Sequence, residues 1–272
     1  MEYWAKTPVR VIYLDGSETP IQKFITKSTP ENITYIHLPV DLYQRLNHAN
    51  SLIKTEYTAL LGDDEFFLTD AIVACVSRLE HTSELVSCCG CALGFFIRSQ
   101  QLLGFIQYPQ LIGDSVSQER ASDRLAFHML NYVPSTIYGI TRTPVWKKAI
   151  SIVTRKEFSA YAIGEIQFEL AVHYLGKTEV IPQLMWLRSH EAKANRGQSP
   201  SLMSENSLVK WWTEVKFLEE RKEFFNIMSE GLSEFPEQIP ETKEAVKQGF
   251  INYIKFRITK EKIDKRRKFI GI

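Results

Sequence analysis

Residues 60–67 read Leu-Leu-Gly-Asp-Asp-Glu-Phe-Phe, an apolar run that climbs into three consecutive acids and falls straight back into aromatics. Like charges between apolar flanks repel one another and resist desolvation, so the fold has to compensate them with a cation or a positive group. Side chains alternate along an extended segment, which points Asp63 and Glu65 the same way and turns Asp64 aside. The competing explanation is a polar turn that leads into the next helix, with Thr69 or Asp70 as its N-cap.

The chain before this point supplies a frame for it. Val9 to Leu14 is rich in β-branched residues and ends at the turn Asp15-Gly16-Ser17, which reads as a buried strand with a polar tip. Ile33 to Leu38 is a second strand, closed by Pro39. From Asp41 to Lys54 the spacing is helical, with Leu42, Leu46, Ala49 and Leu52 or Ile53 on one face. Thr55 to Leu61 returns to strand character and delivers the acids at its end. Strand, helix and strand in this order predict a βαβ unit with parallel pairing, and ligands bind at the carboxyl ends of such strands.

Further along, Ala71 to Leu79 reads as a helix. Val86 to Ile97 and Leu102 to Ile106 read as antiparallel strands joined by Arg98-Ser99-Gln100-Gln101. Residues 113–122 are polar and read as a mobile loop. Helices are expected over 124–132 and from Pro144, with a strand at 137–142 between them. Gly164 opens a helix that runs to Gly176. Glu165 and Glu169 lie one turn apart on it, with Glu165 nearest the positive N-terminus and Glu169 read as surface. Strand material at 178–181 and 184–187 stops at Arg188-Ser189-His190. Residues 192–207 are polar and long for a connection, either a lid or disorder, and two helical segments close the chain. The expected organisation is one α/β domain over 1–207 and a helical region over 208–272.

Of the 272 residues, 44% are hydrophobic and 24% charged, which suits a globular protein with a sizeable core. A net charge of +1 gives no reason to expect nucleic acid. Without a signal peptide or an apolar run of about 20 residues, the expected location is cytoplasmic, with room for contact at the inner face of a membrane. Such contact is suggested by the cations between Lys255 and Lys268 and the apolar stripe Phe250, Ile251, Ile254, Ile258, which together suit anionic lipid. A helix packed on the domain with a solvated basic face accounts for the same residues. Cys75, Cys88, Cys89 and Cys91 lack the spacing and fourth ligand of a zinc site and read as buried, reduced thiols.

The ordered motifs resemble the GT-A glycosyltransferases of family 2, in particular a bacterial subgroup with a Gly-Asp-Asp-Asp-Phe motif after Lys-Thr-Glu-Tyr. Here Lys54-Thr55-Glu56-Tyr57 precedes Gly62-Asp63-Asp64-Glu65-Phe66, with Glu65 in the last acidic place. The likeness spans about Val9 to His190. It implies a GT-A-like, Rossmann-like and mostly parallel sheet flanked by helices, with a helical appendage. It implies a metal-dependent, inverting transfer of a sugar from a nucleotide-sugar donor to a glycan or lipid-linked hydroxyl acceptor in surface polysaccharide or glycolipid synthesis. Asp63, Glu65 and His190 would hold Mg²⁺ or Mn²⁺. Asp15, Ser17, Arg45, Asp64 and Arg188 would bind the nucleotide-sugar, and Glu165 would be the general base, although Ile166 stands where the family often has an aspartate. The family's opening strand, with its Pro-Thr-Tyr-Asn-Arg, has no counterpart in the eight residues before Val9, which leaves a catalytically inactive binding or assembly protein as the alternative. Nucleotidyltransferase chemistry also uses strand-end acids, but no Gly-rich phosphate loop supports it here.

Overall fold

A computed structural model describes residues 2–21, 30–63, 65–160, 162–190 and 208–269, with side chains through residue 260. Asp64 and the stretch 192–207, read as a lid or as disorder, lie outside these residues. The chain divides into two units, Met1–Thr55 and Glu56–Ile272.

The first unit is built on a parallel pair, β1 (Val11–Asp15) and β2 (Ile33–His37), in register from Val11 opposite Ile33 to Asp15 opposite His37. Asn32 ties the preceding segment down: its Nδ2 donates to the carbonyls of Trp4 (2.8 Å), Thr7 (3.2 Å) and Val9 (2.9 Å). Helix α1 (Leu42–Leu52) begins where Asp41 accepts the Gln44 amide at 2.8 Å, which satisfies one of the orphan donors of a helix start.

The second unit contains β3 (Tyr57–Thr58), β4 (Glu65–Phe67), α2 (Thr69–His81), β5 (Leu85–Arg98), β6 (Gln101–Gln107), β7 (Ser115–Val116), α3 (Ala121–Leu130), β8 (Ile140–Arg142), α4 (Thr143–Val153), α5 (Ala162–Leu175) and β9 (Lys177–Ser189). Helices α6 (Leu208–Thr213), α7 (Leu218–Leu232) and α8 (Ile239–Phe269) follow. Its sheet runs β3-β8-β5-β9-β4, with β6 added to β5 and β7 to β9. The fold class is α/β, a central sheet flanked by helices with a helical C-terminal region.

The sheet is mixed rather than mostly parallel. Among its described pairs only β5 and β9 run parallel, and the long connection between them, carrying α3, α4 and α5, permits this. The strand expected at 55–61 is reduced to β3, which pairs antiparallel with β8 rather than parallel with a strand of the first unit. The expected hairpin at 86–106 forms, turning at Ser99 and Gln100, both with positive φ. The stretch read as a mobile loop is instead partly sheet: Val116 is fully buried and β7 lies on β9 with Val116 opposite Thr178. One apolar residue in a polar run was enough to anchor it.

Helix α2 turns Ala71, Cys75 and Leu79 inward against the sheet, the i, i+4 spacing of a single buried stripe. All four cysteines are free; Cys75, Cys88 and Cys89 are buried and Cys91 partly so. Helix α5 is different, since every residue from Ile166 to His173 is buried. It is enclosed by α3, α4, α7 and β5, which explains why Glu169, read as surface, is fully buried.

The helices after 208 form the C-terminal helical region and fall within the second unit. An aromatic cluster joins them to the connection between α4 and α5, with Trp211 and Phe224 at 6.0 Å, Phe224 and Phe250 at 5.0 Å, and Phe158 and Phe224 at 5.9 Å between ring centroids. Phe250 and Ile254, from the stripe offered to lipid, are buried in this packing. Among the described residues no helix is long and apolar enough to cross a membrane.

Candidate functional site

In the first unit, Asp15 ends β1 with its carboxylate gathered by its own loop. The Ser17 amide (2.9 Å) and hydroxyl (2.6 Å) donate to Oδ1; the Tyr35 hydroxyl (2.5 Å) and the Ile21 amide (3.4 Å) donate to Oδ2. Burial pulls the carboxyl up, but the donors, Ser17 and Tyr35 foremost, outweigh it and hold the pKa at about 2. His37 Nε2 donates to the Ser17 carbonyl at 2.8 Å. Arg45, from α1, lays its guanidinium over Gly16, where an added Cβ would fall 1.4 Å from Nη1. Asp15, Ser17 and Arg45 therefore meet at one turn, whose shape is an Asx-turn closed by Asp15 itself.

In the second unit, Asp63 is exposed at the turn before β4. Glu65 opens β4 and is only 5% exposed. The antiparallel register of β4 on β9 sets Glu65 opposite Arg188. The Arg188 Nε lies 3.7 Å from Glu65 Oε1, and the Gly62 amide donates to Oε2 at 3.1 Å. Arg188 Nη1 also reaches the Tyr108 hydroxyl at 3.3 Å. Tyr138 and Tyr108 both stack with the buried Trp186, at 3.8 and 5.5 Å. These rings make an aromatic platform beside the charges.

Glu165, in the first turn of α5, accepts a hydrogen bond from the Tyr132 hydroxyl. Its side chain keeps solvent access. Desolvation by the surrounding protein raises its pKa, as does Glu169, while the Tyr132 bond and the charges of Arg188 and Arg257 oppose the rise. Tyr138 links the pieces. Burial lifts its phenol first, and it also responds to Glu65, Arg188 and Glu165. One side chain thus lies within electrostatic reach of all three sequence-picked residues.

His190 follows β9. Its amide donates to the Phe95 carbonyl at 2.8 Å, its Nε2 sits 3.1 Å from Gln107 Oε1, and its ring tilts against Phe105 at 5.1 Å. Phe105 in turn covers Gly94, where a Cβ would come within 2.4 Å of the ring. The three expected metal ligands are thus not gathered among the described residues. Glu65 faces an arginine, a poor neighbour for a divalent cation, and His190 is engaged elsewhere. Asp63 alone has the exposure and the hard oxygen donors to meet such an ion.

The ligand-type side chains that do gather are His128, Glu169 and His173. His128 Nε2 is 3.1 Å from Glu169 Oε2, and Glu169 Oε1 accepts the amides of Thr136 (3.1 Å) and Ile137 (3.0 Å). His173 Nδ1 donates to the Glu169 carbonyl at 2.8 Å, and its Nε2 meets the Thr178 hydroxyl at 3.2 Å. The imidazoles stack face to face, 3.6 Å apart and 17° from parallel. Lone pairs lie in the ring planes, so two stacked imidazoles cannot aim at one ion, and both His173 nitrogens are already engaged. The cluster is a buried polar pin. Desolvation drives both histidines down to about 3 and Glu169 up. By fixing Thr136 and Ile137 it holds the loop between Tyr132 and Tyr138.

Sequence reasoning missed Tyr108, Tyr132, Tyr138 and this pin. The pin did leave a signal: Glu169 and His173 stand four residues apart on a helix that is mostly apolar on all sides.

No protein-family profile and no curated protein matches the chain. Among solved structures it is similar to S. aureus TarS, with a TM-score of 0.47 at 12% identity over 93% of this chain and 50% of that one. A structure of S. aureus TarS 1–349 gives a TM-score of 0.45 at 12% identity over 96% of this chain and 86% of that one. The chain spans half the length of the first of these structures, and the likeness to both is remote.

Proposed function

We propose that this protein transfers a sugar from a nucleotide-sugar donor to a hydroxyl acceptor on a GT-A-like scaffold, by one displacement that inverts the anomeric centre. The supporting observation is the ion pair of Arg188 with the buried Glu65 beside the Tyr108 and Tyr138 rings, with the exposed Glu165 within electrostatic reach of Arg188. A carboxylate of raised pKa that still faces solvent suits a general base, and Glu165 would take the acceptor's proton as its oxygen attacks the anomeric carbon. Arg188, oriented by Glu65, would neutralise the departing diphosphate. Tyr138, backed by the buried Trp186, would provide a face for the sugar ring. His190 is a second phosphate donor. Asp15, Ser17, Arg45 and Asp64 would contact the nucleoside of the donor. Asp63 would meet a Mg²⁺ or Mn²⁺ carried in on the diphosphate, an ion that lowers the cost of charge on the leaving group. A glycan or lipid-linked acceptor fits this chemistry, at the inner face of a membrane.

A second reading, an inactive binding or assembly protein, draws on the acids already being engaged: Asp15 by its own loop and Glu65 by Arg188. Thermal shift against UDP-, GDP- and dTDP-sugars, with Mn²⁺ or with EDTA, followed by assay of free nucleoside diphosphate, decides between them. Binding with turnover supports the transferase. Binding without turnover supports the second reading, and neither binding nor hydrolysis removes both.

A further inference from the structure

Strand β6 is an edge of the sheet in an unusual state. Among the described residues it pairs with β5 alone, and residues 101–106 are all exposed. Leu102 and Ile106 stand 68% and 61% exposed, and Leu103 and Phe105 on the opposite face are exposed as well. The strand Gln-Leu-Leu-Gly-Phe-Ile-Gln carries no charge and no proline. Edge strands are ordinarily blunted by such residues, because unpaired amides and carbonyls template pairing with another chain. A flat apolar edge left open this way is a docking surface or a hazard.

The sequence of the strand indicates the occupant. About Gly104 it reads nearly the same in both directions: Gln101 answers Gln107, Leu102 answers Ile106, and Leu103 answers Phe105. Ser99 and Gln100, both at positive φ, make a two-residue hairpin turn, so the flanking pair Arg98–Gln101 is the hydrogen-bonded one. Alternation from there leaves the amides and carbonyls of Leu102, Gly104 and Ile106 on the outer edge. An antiparallel copy centred on Gly104 would pair these same groups, 102 with 106 and 104 with 104, and set Leu103 across from Phe105. Such an arrangement is two-fold symmetric and closed, and an uncharged strand meets its own image without repulsion. The hairpin tip, Arg98 to Gln101, is polar and exposed, which disfavours insertion into lipid tip first.

We infer that β6 is the self-association edge of this protein, where two copies pair antiparallel about Gly104 and join their sheets into one. The apolar side chains of the hairpin present on the order of 500 Å² per copy, so the pair buries about 1,000 Å² at most, the lower limit of a specific interface. The dimer is therefore concentration-dependent. Phe105 and Gln107, which hold the His190 ring, lie on the paired strand.

Sedimentation velocity of the full chain over a hundredfold concentration range should show a shift from the mass of one chain to that of two. Leu102→Lys with Ile106→Lys should hold it at one chain; Leu102→Thr with Ile106→Thr, which keep strand propensity, should weaken the dimer at least tenfold, and matching circular dichroism shows that the variants fold. Register is tested with single cysteines: Leu103→Cys mixed with Phe105→Cys should form a disulfide-linked pair on mild oxidation, and neither variant alone should. A wild type that stays at one chain throughout overturns the inference. So does a dimer indifferent to the edge variants, cross-linking in either cysteine variant alone, or a monomer that binds anionic vesicles through this hairpin.

Discussion

Two carboxylates on α5, one helical turn apart, have opposite fates. Glu165 stands at the mouth of the helix with solvent on one side and Tyr132 on the other. Glu169 is fully buried, its oxygens turned to two backbone amides and an imidazole. The residue type and helix are the same, and both pKa values are raised first by desolvation. What differs is access. A buried carboxylate with its donors fixed can only organise, whereas one that keeps an open side can exchange a proton with a substrate. The inner residue holds the loop that carries Tyr132 and Tyr138, so the outer residue's surroundings depend on it.

This contrast can be broken by substitution. The largest effect is expected from Glu165→Gln, which should cut transfer by about 10²–10⁴-fold while leaving the donor-induced thermal shift intact; equal loss of both would mean that Glu165 supports binding rather than proton transfer. Glu169→Ala should cost about 3 kcal/mol in urea unfolding, because the amides of Thr136 and Ile137 lose their acceptor inside the protein. Glu169→Gln, which retains a carbonyl oxygen, should recover more than half. If both variants unfold alike, the carboxylate's charge matters more than its hydrogen bonds. Arg188→Leu should weaken donor binding about tenfold. It should also move the acidic limb of the kcat/KM profile to higher pH, since Arg188 opposes the rise in the Glu165 pKa.

A further effect is pH-dependent. His128 and His173 are held neutral, with pKa values of about 3, against about 6.5 in the unfolded chain. Their contribution to stability is complete above about pH 6.5 and is lost as pH falls toward 3, because the unfolded state then binds the protons. Glu169 has a raised pKa and works the other way, its proton favouring the folded state as pH falls. His128→Gln should flatten the decline in urea midpoint between pH 6.5 and 4.5 by about one proton's worth, about 1.4 kcal/mol per pH unit. An unchanged slope would assign the decline to groups outside the pin.

Where one residue's neighbours lie close in sequence, the chain disclosed its structure. Asp15 with Ser17, the hairpin at Ser99 and Gln100, and the helix opened by Pro144 all follow from local chemistry. Where partners are distant, it did not. Glu65 was read with Asp63 because alternation places them on one side of a strand. The deciding partner, Arg188, is set opposite Glu65 by sheet pairing across more than a hundred residues. Glu169 was read as surface because a helical face looks outward by default, and only the packing of α3, α4, α7 and β5 around α5 reverses that. Tyr138 carries no motif; its place against Trp186 arises from β8 and β9 flanking β5.

The sealed thiols beneath the sheet have a practical consequence. Cys75 lies beside Met185 at 3.7 Å, and both it and Cys89 are pushed to a high pKa, Cys75 by the Cys88 thiol next to it and by burial, Cys89 by burial first and then by Cys88. Thiolate is the reactive form, so these sulfurs stay inert while the protein is folded and become available when it opens. The rate at which an alkylating reagent consumes them is then a clock for unfolding. A cysteine placed on the surface would take a label long before that clock starts.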